Sequence, residues 1–358
     1  MTTEATHQPA PPAELAARPV RLALAIVGAG GMGATHAIGI KDDPNVEIAW
    51  TVDLDLPRAE QLAHKTGAKA TSSMEDAFAD PAVDAVVIAL PTSLHRNATE
   101  AAARAGKHVF CEKPIARNAE DGLAMVAACE QAGVTVMIGH VVRFFPEYQR
   151  IKEILDSGEL GQIATVRALR TNPPVQERSP WFADVEKNGG VVLDLMVHDL
   201  DTLCWLLGDV ERLFAQGLTY TEAQPRRDYA MASLRFREGV IAHVESSWAH
   251  STHRTSVEIA GQYGLIDFSS DKAASLTIER TVALRDKLDR PARVYSRPAV
   301  VSPHQRELRH FIDCLQSGEP VMIDGHAGVR AITLANSVLD SMRTGRPVFF
   351  NEDGSVAA

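Results

Sequence analysis

The sequence predicts a two-domain α/β protein: a doubly wound parallel sheet, followed by an α/β domain with a large, open, mainly antiparallel sheet. Three observations predict this fold class. A glycine-rich turn follows the first apolar run, and strand-like and helix-like runs alternate as far as about residue 141. Short strand-like runs with short connections dominate the later half. With 358 residues, 45% of them hydrophobic, the chain is long enough for two cores.

Strand-like and helix-like segments alternate in the first part of the chain. Apolar runs predict strands at 22–27, 46–52, 69–71, 84–90, 107–111 and 134–138. Helical patterns predict helices at 57–65, 73–79, 94–105 and 118–132, of which the last two are closed by Gly106 and Gly133. This alternation predicts a parallel sheet with right-handed crossovers, in which the nearly continuous apolar run at 84–90 is buried on both faces.

Beyond residue 143 the pattern changes. Helices are predicted at 146–157, 191–207, 305–316 and 325–343. Half-exposed strands are predicted at 162–170, 212–218, 229–237, 240–248, 255–260, 264–269 and 275–280. Their short connections favour an open, largely antiparallel sheet with one face packed on the helix at 191–207. The other face needs a cover, and we expect a second subunit to provide it.

The composition excludes several classes of function. The net charge of −10 disfavours nucleic acid or an anionic membrane as a main partner, and no apolar run approaches the roughly 18 residues of a membrane span. Residues 1–19 lack the basic start and apolar core of a signal peptide, so we expect a disordered tail there. The four cysteines are scattered without a C-x-x-C motif, which indicates a reducing cytosol and no structural zinc. We therefore expect a cytoplasmic protein.

The turn after the first strand carries the glycine pattern of a dinucleotide site. Gly28, Gly30 and Gly33 form Gly-x-Gly-x-x-Gly, with Gly31 and Met32 between the last two glycines. Gly28 allows the tight turn, Gly30 lets the backbone approach a pyrophosphate, and Gly33 permits close packing of helix on strand. The helix N-terminus then offers unpaired N–H groups to the phosphates.

Asp53 indicates which dinucleotide binds. It ends the second strand, twenty residues after Gly33, where an acid accepts hydrogen bonds from the adenosine ribose and repels a 2′-phosphate. NAD is therefore favoured, although Arg58 is close enough to keep NADP use open. The alternative for Asp53 is a turn or helix-capping role. We expect residues 20–141 to form an NAD(P)-binding Rossmann domain and residues 142–358 to serve substrate binding and oligomerisation.

The carboxyl ends of the parallel strands identify the loops that face a ligand. The loop after Leu90 should run near the nicotinamide ribose, and Lys113, which follows the strand at 107–111, should lie nearby. A lysine beside a glutamate is also compatible with a solvated ion pair of little energetic value. The expected position beside the cofactor favours a functional role for Lys113.

Asp194 and His198 are the candidates for acid–base chemistry. They lie four residues apart on one apolar helix, so their side chains share a face. An imidazole that titrates near neutrality can accept a hydroxyl proton while hydride leaves the carbon, with a carboxylate to orient it. The structural alternative is an Asp–His pair that anchors the helix, or Asp199 and Asp201 as surface acids. No second histidine has helical metal-ligand spacing, so no metal is expected.

Taken together, the motifs resemble a known family. The glycine turn at 28–33, the Glu-Lys-Pro triplet at 112–114 and Gly-Gly-x-x-x-Asp-x-x-x-His-Asp at 189–199 resemble the Gfo/Idh/MocA family (glucose-fructose oxidoreductase / inositol dehydrogenase-like). The similarity extends from about residue 21 to residue 350. The family combines a Rossmann domain with a C-terminal α/β domain whose open sheet commonly forms oligomer interfaces. Most members oxidise or reduce sugars, inositols or related polyols with NAD(P).

The resemblance implies roles for individual residues. Lys113 would interact with the reacting hydroxyl and the nicotinamide ribose, Asp194 would orient, and His198 would accept the proton. Four further residues would line the nicotinamide end of the cofactor: Pro91, Thr92, His95 and Glu112. Three residues are candidates for the substrate pocket, although the last is equally compatible with a core position: Arg143, Asn172 and Trp181.

These observations predict an NAD-dependent dehydrogenase that oxidises a secondary hydroxyl of a cyclic polyol or sugar, with His198 as general base. Two alternatives stay open: a sugar hydrolase or epimerase that retains NAD and uses transient oxidation, and a non-catalytic nucleotide-sensing protein on the same fold. A homodimer or homotetramer through the C-terminal sheet is expected. The identity of the substrate depends on loops around 171–188 and 250–254.

Overall fold

The computed structural model describes residues 21–174, 188–218, 228–272, 275–280, 293–296 and 301–357. The predicted tail at 1–19 and Trp181 lie outside the described residues. Two sheets organise the described chain, one with six strands and one with nine. Helices and both sheets share a continuous core of buried apolar side chains. The predicted α/β class is confirmed.

The first sheet is parallel throughout. Its strands are β1 (Leu22–Val27), β2 (Val46–Val52), β3 (Lys69–Thr71), β4 (Ala85–Ile88), β5 (His108–Glu112) and β6 (Val136–Gly139). Their order in the sheet is β3-β2-β1-β4-β5-β6. The strand order therefore reverses between β1 and β4, which opens a crevice for a ligand at the carboxyl ends of these two strands. This is the predicted doubly wound sheet.

Five helices connect the strands of this sheet. They are α1 (Gly31–Ile40), α2 (Leu56–Thr66), α3 (Met74–Ala79), α4 (His95–Arg104) and α5 (Ala119–Ala132). Helices α2 and α5 end at Gly67 and Gly133, whose φ angles of 79° and 66° are left-handed. Glycine adopts this conformation without steric cost, and Gly133 predicted the end of α5 from sequence.

The second sheet is mainly antiparallel. Its strands are β7 (Ile163–Thr171), β8 (Val210–Leu218), β9 (Tyr229–Phe236), β10 (Ile241–Ser247), β11 (Arg254–Gly261), β12 (Gly264–Ser269), β13 (Leu276–Arg280), β14 (Arg293–Ser296) and β15 (Val348–Phe349). Their order is β14-β13-β12-β11-β7-β10-β9-β8-β15, and β7 pairs with β10 in parallel. The sequence did not predict β14 and β15 as strands, because runs of four and two residues carry too little periodicity.

Four helices complete the described second part: α6 (Pro146–Asp156), α7 (Val197–Leu207), α8 (Pro303–Ser317) and α9 (Gly325–Thr344). The helix predicted at 191–207 is not uniform. Residues Val192–Met196 form a π-helical turn that continues directly into α7. Such widened turns occur frequently at functional sites, and this one contains Asp194.

Helices α8 and α9 pack on the first sheet's layers although they follow the second sheet in sequence. Helix α8 contacts α1, and α9 contacts α5. The N–H of Ile138 at the end of β6 donates to the carbonyl oxygen of Ile323 at 3.0 Å. A boundary at 141/142 therefore separates the two sheets. Helices α8 and α9 come after this boundary in sequence but pack on the first domain. The division of the chain into functional domains stays a prediction.

Two buried ion pairs fix the orientation of α7. Arg170 on β7 donates from Nε and Nη2 to the two carboxylate oxygens of Asp199, at 2.9 and 2.8 Å. Arg143 binds Asp201 in the same way, at 2.8 and 2.5 Å. Paired, charge-assisted hydrogen bonds of this kind are geometrically specific. Both aspartates are buried, so their interpretation as surface acids is wrong.

The two faces of the second sheet have different environments. On the inner face, β10 contacts the π-helical turn and β8 contacts α9. The other face and its edge leave large apolar side chains exposed in one chain: Phe214, Leu218, Met231, Ile241 and Phe349. Within the described ranges, no helix combines the length and apolar character that crossing a bilayer requires.

Candidate active site

The turn between β1 and α1 has the close contacts that its glycines predict. A Cβ atom on Gly33 would lie 1.8 Å from the carbonyl oxygen of Gly28. A Cβ atom on Gly28, whose φ is 98°, would lie 2.4 Å from the carbonyl oxygen of Ala89. Neither position accommodates a side chain. Gly30 differs, because no atom lies within 4 Å of the Cβ it would carry. Its open side allows a ligand to approach the backbone.

The N-terminus of α1 fits a bound pyrophosphate. Its N-cap residue, Gly30, supplies no side-chain cap, and its first turn contains no acidic residue among these described positions. The first N–H groups of a helix lack intrahelical partners and favour an anion, together with the helix dipole. The open glycine and the uncapped, uncharged helix start therefore match the phosphates of a dinucleotide.

Asp53 lies beside this turn, immediately after β2. Its Oδ2 accepts the N–H of Ala29 and its Oδ1 accepts the N–H of Asp55, both at 2.9 Å. A guanidinium nitrogen of Arg58 is 3.5 Å from the same carboxylate, and the Arg58 side chain is half exposed. The structure thus places an acid beside the glycine turn, at the carboxyl end of β2, with the cation of Arg58 within reach of it.

A cleft opens where the carboxyl ends of the parallel strands face the π-helical turn. Its lining comes from both parts of the chain: Met32, Ala89, Leu90, Thr92, Glu112, Lys113, Gly139, Val141, Asn172, Asp194, Leu195, His198 and His304. The cleft brings together Lys113, Asp194 and His198, the three residues that the sequence analysis selected for catalysis.

Lys113 and Asp194 form the ion pair of the cleft. Lys113 Nζ donates to the carboxylate Oδ1 of Asp194 at 3.2 Å and to its main-chain carbonyl oxygen at 2.8 Å. Both side chains are largely shielded, with 16% and 17% of their surface exposed. Among the described residues, no hydrogen bond or ion pair joins Asp194 to His198. The carboxylate therefore positions the lysine rather than the imidazole.

His198 lies one turn further along, at the start of α7. Its Nδ1 is enclosed without a hydrogen-bond partner among the described residues, which leaves Nε2 as the ring nitrogen that meets the cleft. Burial lowers the pKa of His198 well below its usual value, and the positive charges of Lys113 and Arg170 lower it further. The ring is therefore neutral at physiological pH and able to accept a proton.

Glu112 connects the cleft to α1. Its Oε1 lies 2.7 Å from Nε2 of the buried His36, and its Oε2 accepts the main-chain N–H of Lys113 at 3.1 Å. The Glu112 carboxylate thus fixes both the His36 side chain on α1 and the main chain at Lys113. His36 lies three residues after Gly33, on the buried side of α1.

The remaining predicted cofactor residues divide into two groups. Met32, Leu90 and Thr92 line the cleft, whereas Pro91 is exposed and does not. His95 is buried, and its ring nitrogens lie 3.0 and 2.9 Å from the carbonyl oxygens of Pro114 and Leu90. His95 therefore links the loops after β4 and β5 instead of facing the cleft.

Of the two described residues predicted for the substrate pocket, only one lines the cleft. Asn172 lines the cleft, with its Oδ1 2.6 Å from Nδ1 of His253. Arg143 does not line it: the guanidinium is buried against Asp201 and lies 5.8 Å from the ring of Trp205. The expectation that Arg143 lines the substrate pocket is therefore corrected to a structural ion pair.

Sequence reasoning did not identify His304 or the pairing of His36 with Glu112. His304 is separated from Lys113 by almost two hundred residues and belongs to no motif. His36 could have been recognised from the sequence, because it is a polar residue on the apolar side of the helix that follows the glycine turn.

A nucleotide turn at one end of the cleft and an acid–base group at the other are what hydride transfer requires. They define the chain as an NAD-dependent oxidoreductase. Residues 22–140 match the "Oxidoreductase family, NAD-binding Rossmann fold", and residues 148–267 match the "GFO/IDH/MocA C-terminal domain". The chain belongs to the GFO/IDH/MocA family, as its motifs predicted.

Curated relatives and solved structures extend this comparison. D-apiose dehydrogenase of Paraburkholderia graminis is 30% identical over 90% of this chain and 88% of its own length. Myo-inositol 2-dehydrogenase of Thermotoga maritima is 28% identical over 92% and 98%. Levoglucosan dehydrogenase in complex with NADH and levoglucosan has the same fold, with a TM-score of 0.83, 22% identity and coverage of 93% and 100%.

Proposed function

We propose that this protein oxidises a secondary hydroxyl group of a cyclic polyol or sugar, with NAD as the hydride acceptor. The observation that carries the proposal is the cleft that brings Lys113, Asp194 and His198 together beside the crevice between β1 and β4. A cation, a positioning carboxylate and a neutral imidazole are the groups that this oxidation needs.

The proposed mechanism assigns one step to each side chain. His198 accepts the hydroxyl proton at Nε2 as the carbonyl group forms. Lys113 donates a hydrogen bond to the substrate oxygen and stabilises its developing negative charge. Asp194 holds the ammonium group in position through the 3.2 Å contact. Bound NAD supplies the hydride acceptor, C4 of its nicotinamide ring. The products are a ketone, NADH and one proton on His198.

The electrostatics of the cleft support His198 as the base. A low pKa keeps the imidazole unprotonated before the reaction, which proton acceptance requires. Lys113 contributes to this low pKa and lines the same cleft. Transfer of the substrate proton to His198 leaves two positive groups in the cleft, and the developing alkoxide is stabilised between them.

The relatives support the substrate class. The named compounds are an aldose (D-apiose), a cyclitol (myo-inositol) and an anhydrosugar (levoglucosan). Each is a compact polyhydroxylated molecule. The cleft offers several polar groups to such a ligand, including Asn172, Thr92 and Glu112.

A screen of inositols, aldoses and anhydrosugars, with NAD and NADP in parallel, tests the proposal. We expect NADH formation with a member of one of these classes and a preference for NAD, because Asp53 lies beside the glycine turn and an acid there repels a 2′-phosphate. Tight NAD binding without turnover on the whole panel would instead favour a nucleotide-sensing protein.

We also propose that the protein forms a homodimer or homotetramer through the outer face of its second sheet, in the cytoplasm. The exposed apolar side chains on that sheet and its edge support an interface, and four buried, unpaired cysteines are consistent with a reducing compartment. Light scattering of the purified protein tests the assembly. A monomer at micromolar concentration would contradict it.

A further inference from the structure

His304 is the one cleft residue contributed by α8. It lies in the first turn of that helix, after Ser302 and Pro303. Packing of α8 on the first domain determines its position, since α8 contacts α1 and the ring of Phe311 lies 5.9 Å from that of Phe110 on β5. The location of His304 is therefore set by the nucleotide-binding layers and not by the second sheet.

Most of the groups around His304 belong to the first domain. Its ring lies 6.1 Å from that of His36, in an edge-to-face arrangement. Its ionisable neighbours on the first domain are Glu112, His36 and Lys113, and His198 on α7 also interacts with it electrostatically. Met32 of the glycine turn and Leu90 after β4 line the same cleft. These first-domain residues come from the glycine turn, α1 and the ends of β4 and β5, whereas Asn172 and the π-helical turn line the cleft from the second part of the chain.

The ring nitrogens of His304 are available to a ligand. The side chain is half buried, and within the described part of the chain neither nitrogen has a hydrogen-bond partner or is enclosed. Burial lowers the pKa of His304, although Glu112 opposes this effect, so the ring is neutral near pH 7. A neutral imidazole presents one donor and one acceptor. A primary amide presents the same two functions in return.

We propose that His304 is a cofactor-binding residue that forms a hydrogen bond with the carboxamide of the nicotinamide ring. Helix α8, near the end of the chain, then completes the nicotinamide site. The buried His36–Glu112 pair lies beside the imidazole, which the ring of His36 contacts edge to face. The inference rests on NAD binding and is independent of the identity of the sugar or polyol.

Equilibrium titrations with NADH and with ADP-ribose, which lacks the nicotinamide, test this assignment without any substrate. For His304→Ala we expect the Kd for NADH to rise about three- to tenfold, the effect of one lost hydrogen bond, while the Kd for ADP-ribose stays within about twofold. Gln305→Ala is the matched control, because this exposed neighbour on α8 does not line the cleft.

Three results would overturn the assignment. An unchanged Kd for NADH would remove His304 from the cofactor site, including the case in which only the KM of the substrate rises. An equal loss of affinity for NADH and for ADP-ribose would mean that the substitution disturbs the fold or the ribose contacts. Failure of the unmodified protein to bind NADH would contradict the cofactor site itself, whereas failure of the substrate screen would leave this titration valid.

Discussion

Lys113 Nζ donates to two oxygens of one residue, the carboxylate and the main-chain carbonyl of Asp194, across the cleft between the two sheets. An ammonium group has three N–H donors. Among the described residues two of them have an acceptor, which leaves the third to meet a substrate oxygen. The same contact holds the π-helical turn against the loop that follows β5.

Lys113→Met should therefore lower kcat/KM for polyol oxidation by about 10²–10³-fold, the usual cost of one lost oxyanion donor. Steady-state kinetics on the preferred substrate measure the loss. Lys152→Met is the control, since Lys152 pairs with Asp156 on the surface of α6. A decrease of less than about fivefold for Lys113→Met would show that the amine does not act on the reacting oxygen.

The pH dependence of oxidation should reflect the lowered pKa of His198. The base acts when neutral, so kcat/KM should stay level down to about pH 6.5, the usual histidine value, and fall only below it. Removing a positive charge raises a histidine pKa, so Arg170→Met should move this acidic limb to higher pH. His198→Asn should abolish the limb and lower the rate about 10²–10⁴-fold. A midpoint at or above 6.5 in the unmodified enzyme would argue against His198 as the group observed.

Two glycines of the same turn should respond differently to alanine. Gly30→Ala places its Cβ in open space at an ordinary φ of −72°, so the free energy of unfolding should change by less than about 1 kcal/mol while NADH binding weakens at least about tenfold. Gly33→Ala forces a contact of 1.8 Å with Gly28 and should destabilise the fold itself. Urea unfolding and NADH titration of both variants separate the effects. Equal destabilisation by the two substitutions would refute the open approach at Gly30.

Glu307 should make the protein less stable as the pH rises. Its carboxylate is fully buried, and neither oxygen has a partner among the described residues. Burial raises its pKa well above the usual value, and the charges of Glu112 and Asp201 raise it further. The folded state then binds more protons than the unfolded state above about pH 4.3, so stability falls with pH by up to about 1.4 kcal/mol per unit.

Glu307→Gln should remove that dependence. Its free energy of unfolding relative to the unmodified protein should increase between about pH 5 and pH 8, as followed by urea unfolding. Glu319→Gln, just beyond the end of α8 and exposed, should show a constant difference. A constant difference for Glu307→Gln as well would mean that the buried carboxyl does not change its protonation on folding.

Local sequence signals predicted most of the fold and the main chemical groups. Glycine spacing and the order of apolar runs are imposed by backbone sterics, so Gly28, Gly33 and the parallel strands could be recognised directly. Lys113 was selected because the carboxyl ends of parallel strands face a common crevice. Asp194 and His198 stood out because polar groups interrupt an apolar helix only for a reason.

Contacts between distant segments could not be predicted in the same way. The pairing of Asp194 with Lys113 depends on a π-helical turn, and no local periodicity signals that extra width. Arg143 and Asp201 are joined through packing of elements 58 positions apart. His304 reaches the cleft because α8 returns to the first domain, a tertiary arrangement that leaves no spacing pattern in the sequence.

The proposed reaction is net hydride transfer from a substrate hydroxyl to NAD, with His198 as base. The most direct measurement compares NADH, followed by its near-ultraviolet absorbance, with the ketone formed from the best substrate of the screen. We predict equimolar NADH and ketone, and a parallel decrease of both in His198→Asn. Product that accumulates without NADH would contradict the claim, because the cofactor would then be regenerated within each catalytic cycle.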